Sequence, residues 1–304
     1  MLLAEIPPGG LIRRSRSFFA KMTAKEIIAQ SKDLPMVSET ARKLVTLLTN
    51  PEAHRDEVVQ TLRCDNVLTA KVLRVCNSAH TGLKEPVGSI DQAVLLLGDN
   101  TIYRMVCALG FGGTMGFGQP GYSVEANGLW GHSLSIGLGA EYLTEIESYG
   151  QFPPSMAFTA GLLHDIGKLI LNQVLTPKTR TEIRDKIAAE SLSRVAAEKA
   201  VLGVDHAEVG ACLLQKWSFP EIIIEAVANH HAPVVRPAVQ LSAVVYLSNC
   251  AAHLSGTAPG WDAYAVRANQ TAAELLELEP GKVEQMIAGV QGAMKAANQF
   301  LHVA

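Results

Sequence analysis

The sequence predicts an all-α fold made of two helical subdomains. Three observations predict it. Apolar residues recur at helical spacing, i, i+3, i+4 and i+7, through most of the chain. Capping patterns open several of those runs. Strand-like alternation is rare.

Taken in order, residues 1–22 read as a loose leader: basic residues follow a short apolar piece broken by Glu5, Pro7 and Pro8, the wrong order for a signal peptide. Thr23 and Glu26 form a capping box ahead of Ile27 and Ile28. Ala41, Leu44, Val45 and Leu48 share the face of a second helix, which Asn50-Pro51 ends. Leu68, Val72, Val75 and Cys76 form another face, with Asp65 as its cap and Asn77-Ser78 as its stop. Ser89 and Gln92 make a second capping box, for a helix carrying Val94, Leu95 and Leu97 that Gly98 closes. Leu73, Val75 and Leu95 to Leu97 are expected in the core. Asp99 is expected to cap an apolar helix from Ile102 to Leu109.

Residues 110–128 hold seven glycines and Pro120, so a loop or hinge is expected there. No Gly-Lys-Ser/Thr follows, so it is not a phosphate loop. The subdomains are expected at 23–115 and 116–304. The second holds helices at Trp130 to Leu143, at Met156 to Val174, and once or twice between Thr181 and Val201. Asp205 and Glu208 mark another helix start. Pro220 fits the first turn of a helix running to His230, and Ala232-Pro233 stops it. Leu241 to Leu254 follows, then two short helices parted by Pro280-Gly281.

Composition bounds the function. The chain has 304 residues, of which 48% are hydrophobic and 18% charged, enough for a sizeable core. A net charge of -3 with no basic, aromatic-interleaved stretch makes nucleic acid an unlikely partner. No apolar run reaches the ~18 residues of a membrane span, so no membrane partner is expected. The five cysteines are scattered and form no CxxC pair, as expected of free thiols in a reducing cytoplasm.

The chemistry lies in the histidines. His164-Asp165 sits in the apolar run LLHDIGK, expected to be helical throughout, with Lys168 one turn on. An imidazole and a carboxylate in such a run are costly to bury unless paired or metal-bound. His132 precedes them on a long helix, His206 follows a cap, and His230-His231 end a helix. Such donors can hold one or two divalent ions, with Fe or Mn favoured over Ni, Mg or Zn. His54, His80, His253 and His302 read as ordinary core, capping or surface residues.

These motifs resemble the HD superfamily and, within it, the HDOD family of bacterial signalling proteins. The segments LPMVSETARKL (34–44), CDNVLTAKVLRVCNSA (64–79) and SIDQAVLLLG (89–98) are similar to that family's N-terminal half, which HD enzymes generally lack. The resemblance runs from about residue 24 to 300. It implies an N-terminal helical bundle packed on an HD-like helical bundle. The order of the histidines resembles that of HD-GYP phosphodiesterases. By that resemblance His132, His164, Asp165, His206, His230 and His231 are ligands, Asp165 bridges two metals, and Lys168 contacts a phosphate or a bound water.

Two departures stand out. Asn249 replaces the final metal-binding aspartate, and the loop after the His pair reads APVVRP, without acidic or GYP elements. The half-site of Asp165, His206, His230 and His231 is therefore expected intact, and that of His132 and Asn249 weakened. A signalling output module with a metal site and little or no catalysis is the leading expectation. The alternative is a metal-dependent phosphohydrolase acting on a nucleotide or cyclic dinucleotide, in which Lys168 and Asp165 would be catalytic. No sensor, receiver or nucleotide-cyclase segment is legible. Input is expected through a signalling partner or a small phosphorylated ligand.

Overall fold

The computed structural model describes residues 22–31, 39–48, 54–78, 85–147, 152–232 and 240–254, with isolated positions at 81 and 83 and within 284–292. The Asn50-Pro51 stop, the leader up to residue 21 and the Pro280-Gly281 break lie outside the described residues. Among those residues there are helices and no strand, only one isolated bridge between Gln119 and Val124.

The first bundle contains α2 (Glu39–Leu48), α3 (Arg55–Arg63), α4 (Asn66–Cys76), α5 (Ile90–Leu97) and α6 (Asp99–Met115). Asp65 caps α4 by accepting from the Leu68 N–H. The Asn77 backbone N–H closes α4 on the Leu73 carbonyl, and its side chain pairs with both backbone groups of Val87, fixing the approach to α5. Ser89 caps α5, but the reciprocal arm of the expected capping box is shifted: Gln92 accepts from Gly88 rather than from Ser89.

The long α6 is the wall between two apolar cores. Ile102, Met105, Val106 and Leu109 face the first core, with Leu44, Leu62, Leu68, Val72 and Val94. Tyr103, Cys107, Phe111 and Met115 face the second. Two stripes on one helix therefore join the bundles. The N-terminal α1 (Ala24–Gln30), assigned by sequence to the first subdomain, buries Ile27 and Ile28 in the second core. Its Thr23–Glu26 capping box is complete.

The second bundle comprises α7 (Gly128–Glu147), α8 (Pro154–Leu163), α9 (Gly167–Val174), α10 (Pro177–Glu190), α11 (Arg194–Leu202), α12 (His206–Lys216), α13 (Glu221–Ala228) and α14 (Gln240–Leu254). No described helix is long and apolar enough to cross a membrane.

Several expectations are corrected. The loop expected from residue 110 begins only after Met115. Gly110 is helical, because a Cβ there would stand 2.5 Å from the Cβ of Ala41 on α2, so its bareness serves close packing and not a turn. Asp99 is the first helical residue and Gly98, at φ 79°, occupies the cap. Leu95 and Leu96 are not core: they are 79% and 52% exposed, because α5 buries only Ile90, Ala93 and Val94. Pro220 is the N-cap of α13, just ahead of its first turn.

The helix expected across Met156 to Val174 is two helices, and His164-Asp165 lies in the break. There the backbone bonds tighten to i−3 spacing, from Ile166 to Leu163 and from Lys168 to Asp165. Similarly α13 stops at Ala228. The Asn229 backbone N–H and side-chain amide both donate to the Glu225 carbonyl, leaving His230 and His231 in the turn that follows.

Candidate metal centre

Four breaks or starts in the helices bring the histidines together. His132 comes from the first turns of α7, and His164-Asp165 from the α8–α9 break. His206 opens α12 behind the Asp205–Glu208 capping box, and His230-His231 follow α13. His132, His164, Asp165, His206 and His230 are all buried, whereas His231 is half-buried at the edge.

Asp165 stands at the centre, and its two oxygens face different groups. Oδ1 lies 3.3 Å from His206 Nε2 and 3.8 Å from His230 Nε2. Oδ2 lies 3.2 Å from His164 Nε2, 3.7 Å from His132 Nε2 and 2.9 Å from Lys168 Nζ. Donor atoms of Asp165, His206, His230 and His231 fall within 4.8 Å of one another, as do those of His132, His164 and Asp165. Asp165 belongs to both sets.

The outer ring nitrogens are already committed. His164 Nδ1 is 2.7 Å from the Gly161 carbonyl, and His230 Nδ1 is 2.7 Å from the Val227 carbonyl. A carbonyl only accepts, so each Nδ1 donates its proton, and Nε2 is the nitrogen left to bear a lone pair whenever the ring is neutral. Those two Nε2 atoms, with Asp165 Oδ1, are buried without a hydrogen bond among the described residues. Orphaned buried acceptors converging on one point are what a cation would satisfy. His206 Nε2 and His231 Nε2 are 2.8 Å apart, close to the separation of about 3 Å for adjacent ligands each ~2.1 Å from one ion.

Electrostatics agree with this arrangement. Burial holds His132, His230 and His231 well below the usual imidazole range, so they are neutral and able to ligate. Burial alone would raise Asp165, but His164 and Lys168 beside it hold its carboxyl well below the usual range. His206 goes the other way. Burial lowers it, yet the Glu198 charge, the Asp165 carboxylate beside Nε2 and the bond to Glu198 hold it up, at about 9.

Asn249 is buried on α14, and its Oδ1 makes no hydrogen bond among the described residues. Two further residues border the site: His253, read from the sequence as an ordinary residue, and Glu198, which the sequence did not single out. His253 is four residues beyond Asn249, and its ring lies 5.9 Å from that of His132. The i,i+4 spacing on α14 was the available signal. Glu198, fully buried on α11, holds His206 Nδ1 at 2.7 Å. Its flanks Ala197, Val201 and Leu202 mark it as inward-facing. Beside Lys168, the Tyr122 ring takes both that ammonium and the buried Arg194 guanidinium, each 5.6 Å from its centroid.

The donor set contains nitrogen and oxygen and no sulfur, which fits a divalent metal site of the mixed-ligand kind. The chain is similar to several known proteins. The family model described as HDOD domain matches residues 34–233. An HDOD domain protein of unknown function from Geobacter sulfurreducens aligns with 25% identity and TM-score 0.64, over 88% of this chain and 87% of that one. A candidate phosphohydrolase from Shewanella amazonensis SB2B aligns with the same identity and score, over 90% and 97%. A candidate signal transduction protein from Marinobacter aquaeolei VT8 shares the fold at 22% identity and TM-score 0.70, over 93% and 62%. An uncharacterized protein of Treponema pallidum (strain Nichols) is 23% identical over 208 residues, which are 68% of this chain and only 39% of that longer relative.

Proposed function

The chain belongs to the HDOD domain family, and from that premise we propose that it is a bacterial signal-transduction output module that keeps an HD-type metal site and does little or no catalysis. One observation carries the reading: the two oxygens of Asp165 are served unequally. Oδ1 faces only imidazoles, which can give up a proton to a metal, whereas Oδ2 is also held by the Lys168 ammonium at 2.9 Å. A cation already on Oδ2 opposes a second metal beside His132 and His164. Asn249 adds no charge there to offset it.

In this reading Asp165, His206, His230 and His231 hold one divalent ion, with Fe or Mn favoured. The ion supplies positive charge and Lewis acidity when bound. The chain's own residues orient it: the Gly161 and Val227 carbonyls fix the His164 and His230 rings, and Glu198 fixes His206. Two-metal hydrolysis needs both ions to stabilise the attacking and leaving oxygens. With one half-site opposed by Lys168, the centre serves structure or ligand sensing. Its input is a signalling protein or a small phosphorylated ligand.

The likeness to the Shewanella candidate phosphohydrolase, with Lys168 buried at the centre, favours a second reading. This is a metal-dependent phosphohydrolase in which Asp165 organises the metals and Lys168 neutralises a phosphate. One experiment separates the two. Protein loaded with Mn or Fe is assayed against cyclic dinucleotides and phosphomonoesters, with Asp165→Ala as control. No turnover above the control is expected. Robust metal-dependent turnover, lost in Asp165→Ala, would replace the signalling reading with the enzyme.

A further inference from the structure

We infer that Glu198 is a positioning residue for the metal centre, setting the donor strength of His206 from outside the ligand set. The inference rests on the metal-site reading above.

Glu198 is fully buried on α11, a helix that contributes no candidate ligand. One oxygen, Oε2, accepts from both the backbone N–H and the Nδ1 of His206, at 2.9 and 2.7 Å. The other, Oε1, is buried without a hydrogen bond among the described residues. A wholly buried carboxylate is costly to keep and needs a reason.

Part of that reason is local. His206 opens α12, and its N–H is one of the donors a helix start leaves without an intrahelical partner. That duty needs only a neutral oxygen, because the Asp205–Glu208 box already caps the helix. A full negative charge points to the ring. The two other rings with resolved outer partners, His164 and His230, rest on neutral carbonyls. Only His206 rests on an anion. A carboxylate on Nδ1–H fixes the tautomer, turns Nε2 toward Asp165 Oδ1 at 3.3 Å, and raises the electron density of that nitrogen. Once a metal displaces its Nε2 proton, His206 is therefore the strongest donor of its set, and the ion's hold depends on a residue that does not touch it.

The test compares wild type with Glu198→Gln, which keeps an oxygen for both N–H groups and removes the charge, and Glu198→Asp, which keeps the charge and withdraws it by one methylene. Mn(II) affinity is measured by competition with a chromophoric chelator. The visible spectrum of the Co(II)-loaded protein reports the ligand field, and metal-free melting temperature reports the fold. Glu198→Gln is expected to bind about 10- to 100-fold more weakly, with a shifted Co(II) spectrum and a metal-free melting temperature close to that of wild type. Glu198→Asp is expected to lose several-fold in affinity, and it carries the test if the glutamine variant does not fold. Wild-type affinity and spectrum in the folded variants would overturn the role of Glu198 alone. Failure of wild type to bind metal would overturn the metal-site reading, and this inference with it.

Discussion

Gly167 and His206 meet backbone to backbone: a Cβ on Gly167 would stand 1.9 Å from the His206 carbonyl oxygen and 2.6 Å from the Gly210 nitrogen. This contact seats the start of α9 on the start of α12. It thereby sets His206 beside Asp165, two residues before Gly167. A methyl group there has no flexible neighbour to displace, since both obstacles are backbone. Gly167→Ala is therefore expected to destabilise the fold by about 3 kcal/mol, at the upper end of overpacking costs, and to lower metal content. Thermal melting and elemental analysis of the purified variant check this. A variant that melts with wild type would mean that α9 and α12 slide apart freely, and the contact would not position the site.

The shared position of Asp165 makes a sharper claim about stoichiometry. Because its carboxylate faces both donor sets, Asp165→Ala is expected to remove all bound metal. His230→Ala should remove the ion on the Oδ1 side. His132→Ala should leave that ion in place. Metal per chain, measured on protein purified without chelators, distinguishes the three. Equal loss in all three variants would argue against two separable half-sites.

Much of this was legible in the sequence, and the limits were physical. The helical class and most helix starts follow from local rules: Thr23, Asp65 and Asp205 cap as their side chains dictate. The histidine set could be gathered from spacing and family likeness because each ligand type is rare in an apolar run. Tertiary effects were not legible. Gly110 looks like a loop residue until Ala41 is seen against it. Leu95 and Leu96 look like core until α5 is seen to offer only one face. The LLHDIGK run reads as continuous helix, because nothing local announces the tight turns that re-aim His164 and Asp165. Glu198 resembles any acidic helix residue, and its partner lies on another helix.

Glu141 supplies a pH test away from the metal centre. It is buried on α7 and reaches Arg104 on α6 at 3.4 Å. Burial pushes its carboxyl up to about 7, with Arg104 opposing the rise and Glu145 adding to it. Between the ordinary value of 4.5 and about 7 the folded chain keeps this proton and the unfolded chain does not. Stability therefore falls as pH rises through that window, by on the order of 3 kcal/mol for this group. Glu141→Gln has no proton to lose and is expected to flatten the fall, gaining relative to wild type at pH above 7. Denaturant titrations of both proteins across the window check it. Parallel pH profiles would show that Glu141 ionises without cost.

Asn249 and Lys168 are the two features proposed to weaken the second half-site. Asn249 offers a neutral oxygen where an aspartate would add a charge, and Lys168 places an ammonium on Asp165 Oδ2. In the proposed reading both leave that half-site short of negative charge, so reversing either should favour binding of the second ion. Asn249→Asp is expected to raise Mn or Fe content towards two ions per chain. Lys168→Met, which keeps the length of the side chain and removes the charge, should move occupancy in the same direction. Neither change need restore hydrolysis, because the loop after His231 lacks the acidic and GYP elements of the enzymes it resembles. Elemental analysis gives occupancy, and a phosphoester panel run in parallel gives turnover. One ion per chain in wild type and in both variants would show that charge at Oδ2 is not what limits the second half-site. Two ions in wild type would remove the physical basis for a non-catalytic centre.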